Sequence, residues 1–296
     1  MQSRGLWQPG WVRIATWNVN SVRARLPRLL PWLSSAAPDV VCLQELKCAA
    51  GEVPVTEFTA LGYQVAAHST GRWNGVAVLS KLGLADVWNG LLNEPGYQAE
   101  GTLVSVVEPR AIAATCAGIR FWSVYVPNGR AIGHAHFTYK LRWLDALSAT
   151  VHADHAQRSP FVVLGDFNVA PTDADVWDIA EFNGSTHVTP AERAALAALG
   201  AEGLVEVYPR ALKHAVPFTY WDYRALGFPH NHGQRIDLVY ADEAFAAAVT
   251  DAYVDRDQRK GSGVSDHAPV VIDLDRDIAT RTAAAQRGVA AASARA

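Results

Sequence analysis

Net positive charge is missing from this chain. Over 296 residues the formal charge is −3, which removes any global basic signature for nucleic acid and confines a phosphate-binding surface to a local patch. Cysteine is scarce. Cys42, Cys48 and Cys116 are odd in number and contain no CxxC pair, so the sequence offers no zinc site and suits a reducing compartment. Cys42 lies inside the apolar run VVCL and is expected to be a buried packing residue. No apolar run approaches the length of a membrane span, and the opening MQSRGLWQPGW lacks the apolar core of a signal peptide. We therefore expect a cytoplasmic protein without membrane contact. The glycine patterns of nucleotide sites, GxGxxG and GxxxxGK[ST], are absent. Ser265 stands beside His267 in a turn without a nucleophile elbow, which speaks against an activated-serine mechanism.

What is present is a supply of apolar strands that end in polar residues. Half of the residues are hydrophobic and 19% are charged, enough for a sizeable core and against wholesale disorder. In FVVLGDFNVAPTDAD, Phe161 to Leu164 reads as a buried strand that runs into Asp166 and Asn168 before Pro171 stops pairing. Other exits repeat the pattern: Val12–Trp17 into Asn18 and Asn20, Val40–Leu43 into Gln44-Glu45, and Arg120–Val126 into Pro127-Asn128. Further strands are expected at Gly75–Ser80, Thr102–Val107, Ile236–Tyr240 and Val270–Leu274. Leu26–Ser35 reads as a helix with Pro27 in its first turn, and Phe137–His152 as a second by its leucine spacing. Thr189-Pro190-Ala191-Glu192 is a capping box opening a third, alanine-rich helix, closed by Gly200 and read as plain packing.

Strands alternate with helices, but hairpin-like strand pairs are interspersed. That suits an α/β fold with two mixed β-sheets packed face to face and helices outside, a four-layer α/β/β/α sandwich. If the polar strand ends form one site, Asn18 and Asp266 must meet across nearly the whole chain. One catalytic domain over 12–275 follows, with residues 278–296 as a flexible basic tail.

The collected candidates are Asn18, Asn20, Glu45, Tyr125, Asn128, Asp166, Asn168, Asp237, Asp266 and His267. Oxygen donors dominate, which selects a hard cation, Mg2+ with Mn2+ as substitute, over zinc. Carboxylates, one metal, one histidine and one tyrosine fit hydrolysis of a phosphodiester, which needs a deprotonated water and neutralised phosphoryl oxygens. In that reading Glu45 anchors the metal, Asp166 takes the water's proton and Asn168 orients the water or the phosphate. Asp237 holds an imidazole nitrogen of His267 and favours its protonated form. Taken singly each residue has an ordinary structural explanation; only the set points to a site.

The segments WNVNSVRARL, LQELK, NGVAVLSK, YVPNG, GDFNVAPTDAD, FTYWDYR, RIDLV and SDHAPV stand in the order found in exonuclease III-type apurinic/apyrimidinic (AP) endonucleases. Over about Ile14 to Ile272 the chain resembles that family, within the endonuclease/exonuclease/phosphatase superfamily and its deoxyribonuclease I-like fold. The resemblance implies Mg-dependent incision 5′ to abasic sites in duplex DNA, with 3′-phosphodiesterase and 3′→5′ exonuclease activity. By the same resemblance Glu45 matches the principal metal ligand with Asn18 nearby, and Asp266 a metal-proximal carboxylate. Asp166 matches the proton acceptor, Asn168 the transition-state stabiliser, Tyr125 the phosphate-contacting tyrosine, and Asp237 with His267 the acid–histidine pair. Motif matching does not decide between Asp166 and His267 as base, or between one metal and two.

Two departures stand out. Leu46 follows the glutamate where the family often has Thr, which we read as a packing change. Gln234 stands where relatives present Trp or Leu to the abasic pocket, whose apolar positions are matched by Tyr220 and Ile236. For DNA contact the sequence nominates Arg23, Arg25, Asn128, Arg130 and Arg224, joined by Lys140 and Arg142. The expected partner is duplex DNA with abasic sites or 3′ ends, bound by a monomer. Two rival readings are a phosphodiesterase or phosphatase acting on another phosphate ester, and a non-catalytic DNA-binding homologue.

Overall fold

Alternation of side chains decides the layering. All of Phe161–Asp166 is buried, yet Val162 and Leu164 join one apolar cluster while Phe161 and Val163 join another. A strand covered on both faces lies inside a stack, and the computed structural model, which describes residues 11–275 except 202, bears this out.

The strands are β1 (Trp11–Asn18), β2 (Val40–Gln44), β3 (Gln64–His68), β4 (Val76–Ser80), β5 (Ala85–Asn89), β6 (Tyr97–Gln98) and β7 (Ser105–Val106). They continue with β8 (Ala111–Cys116), β9 (Ile119–Tyr125), β10 (Phe161–Asp166), β11 (Val205–Glu206), β12 (Asp237–Ala241), β13 (Val249–Val254) and β14 (Val270–Asp275). One sheet has the order β13-β14-β1-β2-β4-β3 and the other β11-β12-β10-β9-β8-β5. Each is mixed, parallel at β1/β2 or β9/β10 and otherwise antiparallel. Ile14, Val40, Val78 and Ile272 of the first sheet meet Ile112, Phe121, Leu164 and Val239 of the second in the central core. The outer face of the first packs Trp17, Leu43 and Leu79 on Leu29, Trp32 and Leu33 of α1 (Val22–Ala36) and Phe58 of α2 (Val55–Ala60). The outer face of the second packs Trp122 and Val163 on Trp143, Leu147 and Val151 of α3 (Ala135–His155) and Leu196 of α4 (Pro190–Ala201). The expected four layers are present. Leu46 and Cys42 are fully buried packing residues.

Two expectations need correction, and the basic tail lies outside the described residues. Helix α1 starts at Val22, capped by Ser21, so Pro27 sits beyond the first turn and Pro31 follows inside the helix. Thr102–Val107 is not a sheet strand: only Ser105–Val106 pairs, in a two-stranded hairpin that leaves Leu103 98% exposed. The adjoining sheet strand is β8, whose alanine-rich AIAATC has little β-propensity and gives a faint signal. β3, β5 and β13 also went unread; all three lie at sheet edges, where partial or full exposure leaves no continuous apolar run.

Register places the polar strand ends together. Asp166 pairs with Tyr125 on β9 and with Asp237 on antiparallel β12, while Asn18 pairs with Gln44. Because β14 runs antiparallel to β1 with Thr16 opposite Val270, the turn carrying Asp266 and His267 arrives beside Asn18. Gly165 makes this possible. Its φ is 149° and a Cβ there would overlap the Val124 backbone carbonyl on β9. Gly165→Ala should therefore destabilise the fold by about 3 kcal/mol, the upper range for overpacking against an unyielding neighbour. Urea unfolding checks this, and an alanine variant of native stability would show that β9 and β10 have room to separate.

Candidate active site

The backbone at the strand exits is bent into conformations that side-chain-bearing residues avoid. Asn20, Ser21, Glu45, Lys47, Asn168 and His187 all have positive φ, each costing about 1–3 kcal/mol unless its surroundings hold it. They are held. Ser21 N–H and Val22 N–H donate to the Glu45 and Leu46 carbonyls, and Ser265 Oγ donates to the Asn18 carbonyl at 2.7 Å. Trp17 Nε1 donates to the His267 carbonyl at 3.0 Å. Thr219 Oγ1 accepts from the Ile236 and Asp237 amides and so fixes the start of β12.

Within that frame the acids converge. Asn18 Nδ2 donates to Glu45 Oε1 and to Asp166 Oδ2, both at 2.9 Å. His267 Nδ1 lies 2.7 Å from Asp237 Oδ2, and its Nε2 3.7 Å from Asp166 Oδ2. Asp166 Oδ1 accepts the Asn168 amide at 2.9 Å, while Asn168 Nδ2 donates to the Val126 carbonyl and its Oδ1 accepts from Asn128 Nδ2. Tyr125 is 8% exposed, close enough to Glu45 to feel its charge, and covered on its ring by Arg110 at 4.6 Å. Tyr220 tilts over the His267 ring with centroids 4.9 Å apart.

Charge follows from this geometry. Burial opposes a cation at His267, but Asp237 and Asp166 outweigh it and raise its pKa to about 10, so the ring is an imidazolium near neutrality. Burial pushes the Asp166 carboxyl up, Asp237 and Glu45 add to this against the pull of His267, and it reaches about 7. At Glu45 burial is overcome by Lys47, which keeps its carboxyl below the usual range. Burial, with Glu45 adding to it, holds the Tyr125 phenol far above its ordinary value, so it remains a proton donor.

Ligand atoms of Glu45, Asp166 and His267 lie within 4.8 Å of one another. With His267 protonated, the two carboxylates are the ligands this group offers a metal. Around them four acids, Glu45, Asp166, Asp237 and Asp266, face two cations, Lys47 and His267. The surplus of hard, negative oxygen fits a divalent cation.

Most of the expected residues meet here, but not all as expected. Asn18 presents its amide nitrogen to the carboxylates, its oxygen being taken by the Asn20 amide at 3.0 Å, so it braces the acids instead of adding an oxygen ligand. Asp266 stands outside the tight group and accepts from Asn20 Nδ2 at 3.0 Å. Ile236 is 1% exposed and packs with Ala170 and Val176, while Tyr220 and Gln234 face each other as bridge partners. Lys140 is not a surface cation: it is fully buried, ion-paired with Glu192, and its Nζ donates to the Asn128 and Asn168 carbonyls. The capping helix α4 thus contributes more than packing. Arg23 is paired with Glu52 and Arg25 with the Tyr223 hydroxyl, both from the first turn of α1, and exposed Arg224 with Asp222. Arg130 donates to the Tyr97 hydroxyl. Arg235 pairs with Asp175 and Glu206, not with Asp237.

Sequence reading missed Lys47, whose Nζ lies 2.5 Å from Glu45 Oε2 and 2.6 Å from Asn20 Oδ1. The clue was its place in LQELK, but the positive φ of Glu45 and of Lys47 itself brings it back onto the acid. Arg110, His187 and Thr219 were missed too, since each acts through a contact between distant segments.

The chain is similar to known proteins. The model of the endonuclease/exonuclease/phosphatase family matches residues 15–267. Exodeoxyribonuclease III of Haemophilus influenzae is 28% identical over 268 residues, covering 88% of this chain and 98% of that protein. A 3′ phosphatase from Neisseria, solved bound to a product DNA hairpin, superposes with a TM-score of 0.82 at 34% identity, over 89% of this chain and 99% of that one. An AP endonuclease from Archaeoglobus fulgidus gives 0.79 at 33% identity, over 88% and 98%.

The Asp237–His267 pair has a pH signature. Its folded pKa of about 10 lies above the ordinary 6.5, so its stabilisation is complete below about 6.5 and is lost as pH rises through about 10. Asp237→Asn should lower the His267 pKa, seen by nitrogen-15 NMR of the ring, and its stability cost should shrink across that window. A native His267 that titrates near 6.5 would remove the imidazolium from the site.

Proposed function

From the premise that this chain belongs to the endonuclease/exonuclease/phosphatase family, we propose that it is a DNA-repair phosphodiesterase that incises duplex DNA 5′ to abasic sites and trims 3′ ends. It is a hydrolytic nuclease by that membership and by its likeness to exodeoxyribonuclease III. The observation that carries the finer reading is the single cluster in which Asp166, Asn168 and the Asp237–His267 pair meet beside Glu45.

Asp166 is the base. A carboxyl near neutrality in pKa is suited to take a proton from water, whereas the already protonated His267 has no lone pair to offer and instead stabilises charge on the phosphoryl oxygens. Asn168, tied at both ends of its amide, orients the phosphate without reorganising. The neutral Tyr125 phenol donates to the departing oxygen. Glu45, with Asp166 beside it, would hold Mg2+, which neutralises phosphate charge when bound. Lys47 and Asn18 keep the acids in place. On the substrate side, Tyr220 and Gln234 form the pocket wall, while Asn128, Arg130, Arg25 and exposed Arg224 reach the strand backbone. The catalytic domain covers 12–275, acts as a monomer in the cytoplasm, and no described helix is long and apolar enough to cross a membrane.

An end-labelled duplex with one abasic analogue, incubated with and without magnesium, tests this directly. A single 5′ incision that needs magnesium is expected; binding without cleavage would turn the reading into a non-catalytic one. Asp166→Asn should lower turnover by about a hundredfold to ten-thousandfold with DNA affinity kept, because losing an anion does not weaken attraction to phosphate. Loss of binding and a lowered melting temperature together would make Asp166 structural. Glu45→Gln should raise the magnesium needed for half-maximal activity and recover partly at high magnesium; an unchanged requirement would exclude Glu45 as the anchor.

A further inference from the structure

The chain between β5 and β8 carries a feature that the chemistry of the site does not use. Asn89, the last residue of β5, pairs with Ile112, and Ala111 at the start of β8 pairs with Val124, one residue before Tyr125. Residues 90–110 therefore lie beyond the sheet at the same end as the acids. From that stretch rises the two-stranded hairpin of β6 and β7, whose turn and second strand are exposed from Gly101 through Val107. Leu103 is 98% exposed there, Val104 66%, Val106 55% and Val107 54%.

The foot of this hairpin is fixed and its tip is bare. Tyr97 is buried against His136 and Tyr139 of α3, and its hydroxyl accepts from Arg130. The Pro109 carbonyl accepts the Gly75 amide and the Arg110 carbonyl accepts the Tyr125 amide, so the returning chain is tied to both sheets at the rim. The turn is closed by Thr102, whose N–H and Oγ1 both donate to the Ala99 carbonyl. Turns normally carry polar residues. Four exposed apolar side chains on an ordered hairpin mark a surface that is covered in use. Composition indicates what covers it. Between Tyr97 and Val107 the only charged residue is Glu100, so the hairpin cannot grip phosphate. Cations stand at its foot instead: exposed Arg130, and exposed Arg72 beside Trp73, which is 73% exposed two residues before Gly75. Cations on the rim with apolar and aromatic side chains beyond them suit a nucleic-acid duplex. Its charge lies along the backbone, and the walls of its minor groove are the carbon faces of the sugars, which apolar side chains can press against.

We propose that the hairpin 97–107 is an apolar finger that lies in the minor groove of the duplex to one side of the scissile phosphate, with Leu103 at its tip, and adds binding that does not depend on charge. The inference rests on the nuclease reading for the identity of its ligand. It enlarges the DNA-contacting surface beyond the arginines, by a contact of a different physical kind.

A variant carrying Leu103→Ser and Val104→Thr tests this on a duplex with one abasic analogue, bound without magnesium so that it is not cut. Both side chains are exposed, so the melting temperature should not move. Affinity should fall about tenfold, the worth of two partly covered apolar side chains. The slope of log affinity against log salt should stay as in wild type, because no cation is lost. Leu103→Lys should steepen that slope by about 0.9, one further phosphate being neutralised. Hydroxyl radicals attack sugar hydrogens in the minor groove, and wild type should protect a patch there that the double variant leaves open. Equal affinity and an equal footprint for the two proteins would overturn the inference and leave the nuclease reading standing. So would a wild type that sediments as a dimer beside a monomeric double variant, since the hairpin would then join two copies of the chain. A wild type that neither binds nor incises the duplex overturns the nuclease reading and the finger with it.

Discussion

Burying several carboxylates within a few ångströms of one another is the constraint from which the rest follows. Asp166 and Asp237 are 1% exposed and are register partners on adjacent strands, so their repulsion is set by the β-ladder itself. An unpaired buried charge is expensive. The surrounding contacts answer that cost: His267 sits against both acids, Asn18 donates to two of them at once, and Lys47 turns back onto Glu45. Each compensating group is of a kind that also serves phosphate chemistry. The arrangement that makes the fold tolerable is thus the one that prepares it to receive an anionic substrate and a cation.

Mixed sheets explain why so distant a set of residues meets. Parallel β1/β2 and β9/β10 send their C-terminal ends to one edge, and antiparallel β12 and β14 begin there. A purely antiparallel sheet would scatter alternate termini to opposite edges. Here the exits at Asn18, Glu45, Tyr125 and Asp166 and the entries at Asp237 and His267 share one rim.

Much of this was legible in the sequence. Short apolar runs ending in Asn, Glu or Asp named the strands that carry the site, because fully buried strands write a continuous apolar signal. Motif order named the acids and His267. Three kinds of feature were not legible. Edge strands such as Gln64–His68 lack that signal. Backbone turns such as the positive φ at Glu45 decide where Lys47 points, and no side-chain pattern encodes them. Lys140 read as a surface cation because α3 gives it a polar neighbourhood in sequence, while its partner Glu192 arrives from another helix. Burial of a charge is a property of the pair, visible only once both have been placed.

The nominated arginines carry one more implication. Arg23 already holds Glu52, Arg224 holds Asp222, and Arg25 rests on the Tyr223 hydroxyl. A phosphate approaching such a residue exchanges one partner for another, so the first two offer less net attraction than free cations would. With an overall negative charge behind them, arginines so paired would favour short visits to a phosphate backbone over long ones. On the proposed reading, such a protein would sample DNA by frequent release and dwell only where contacts other than charge hold it.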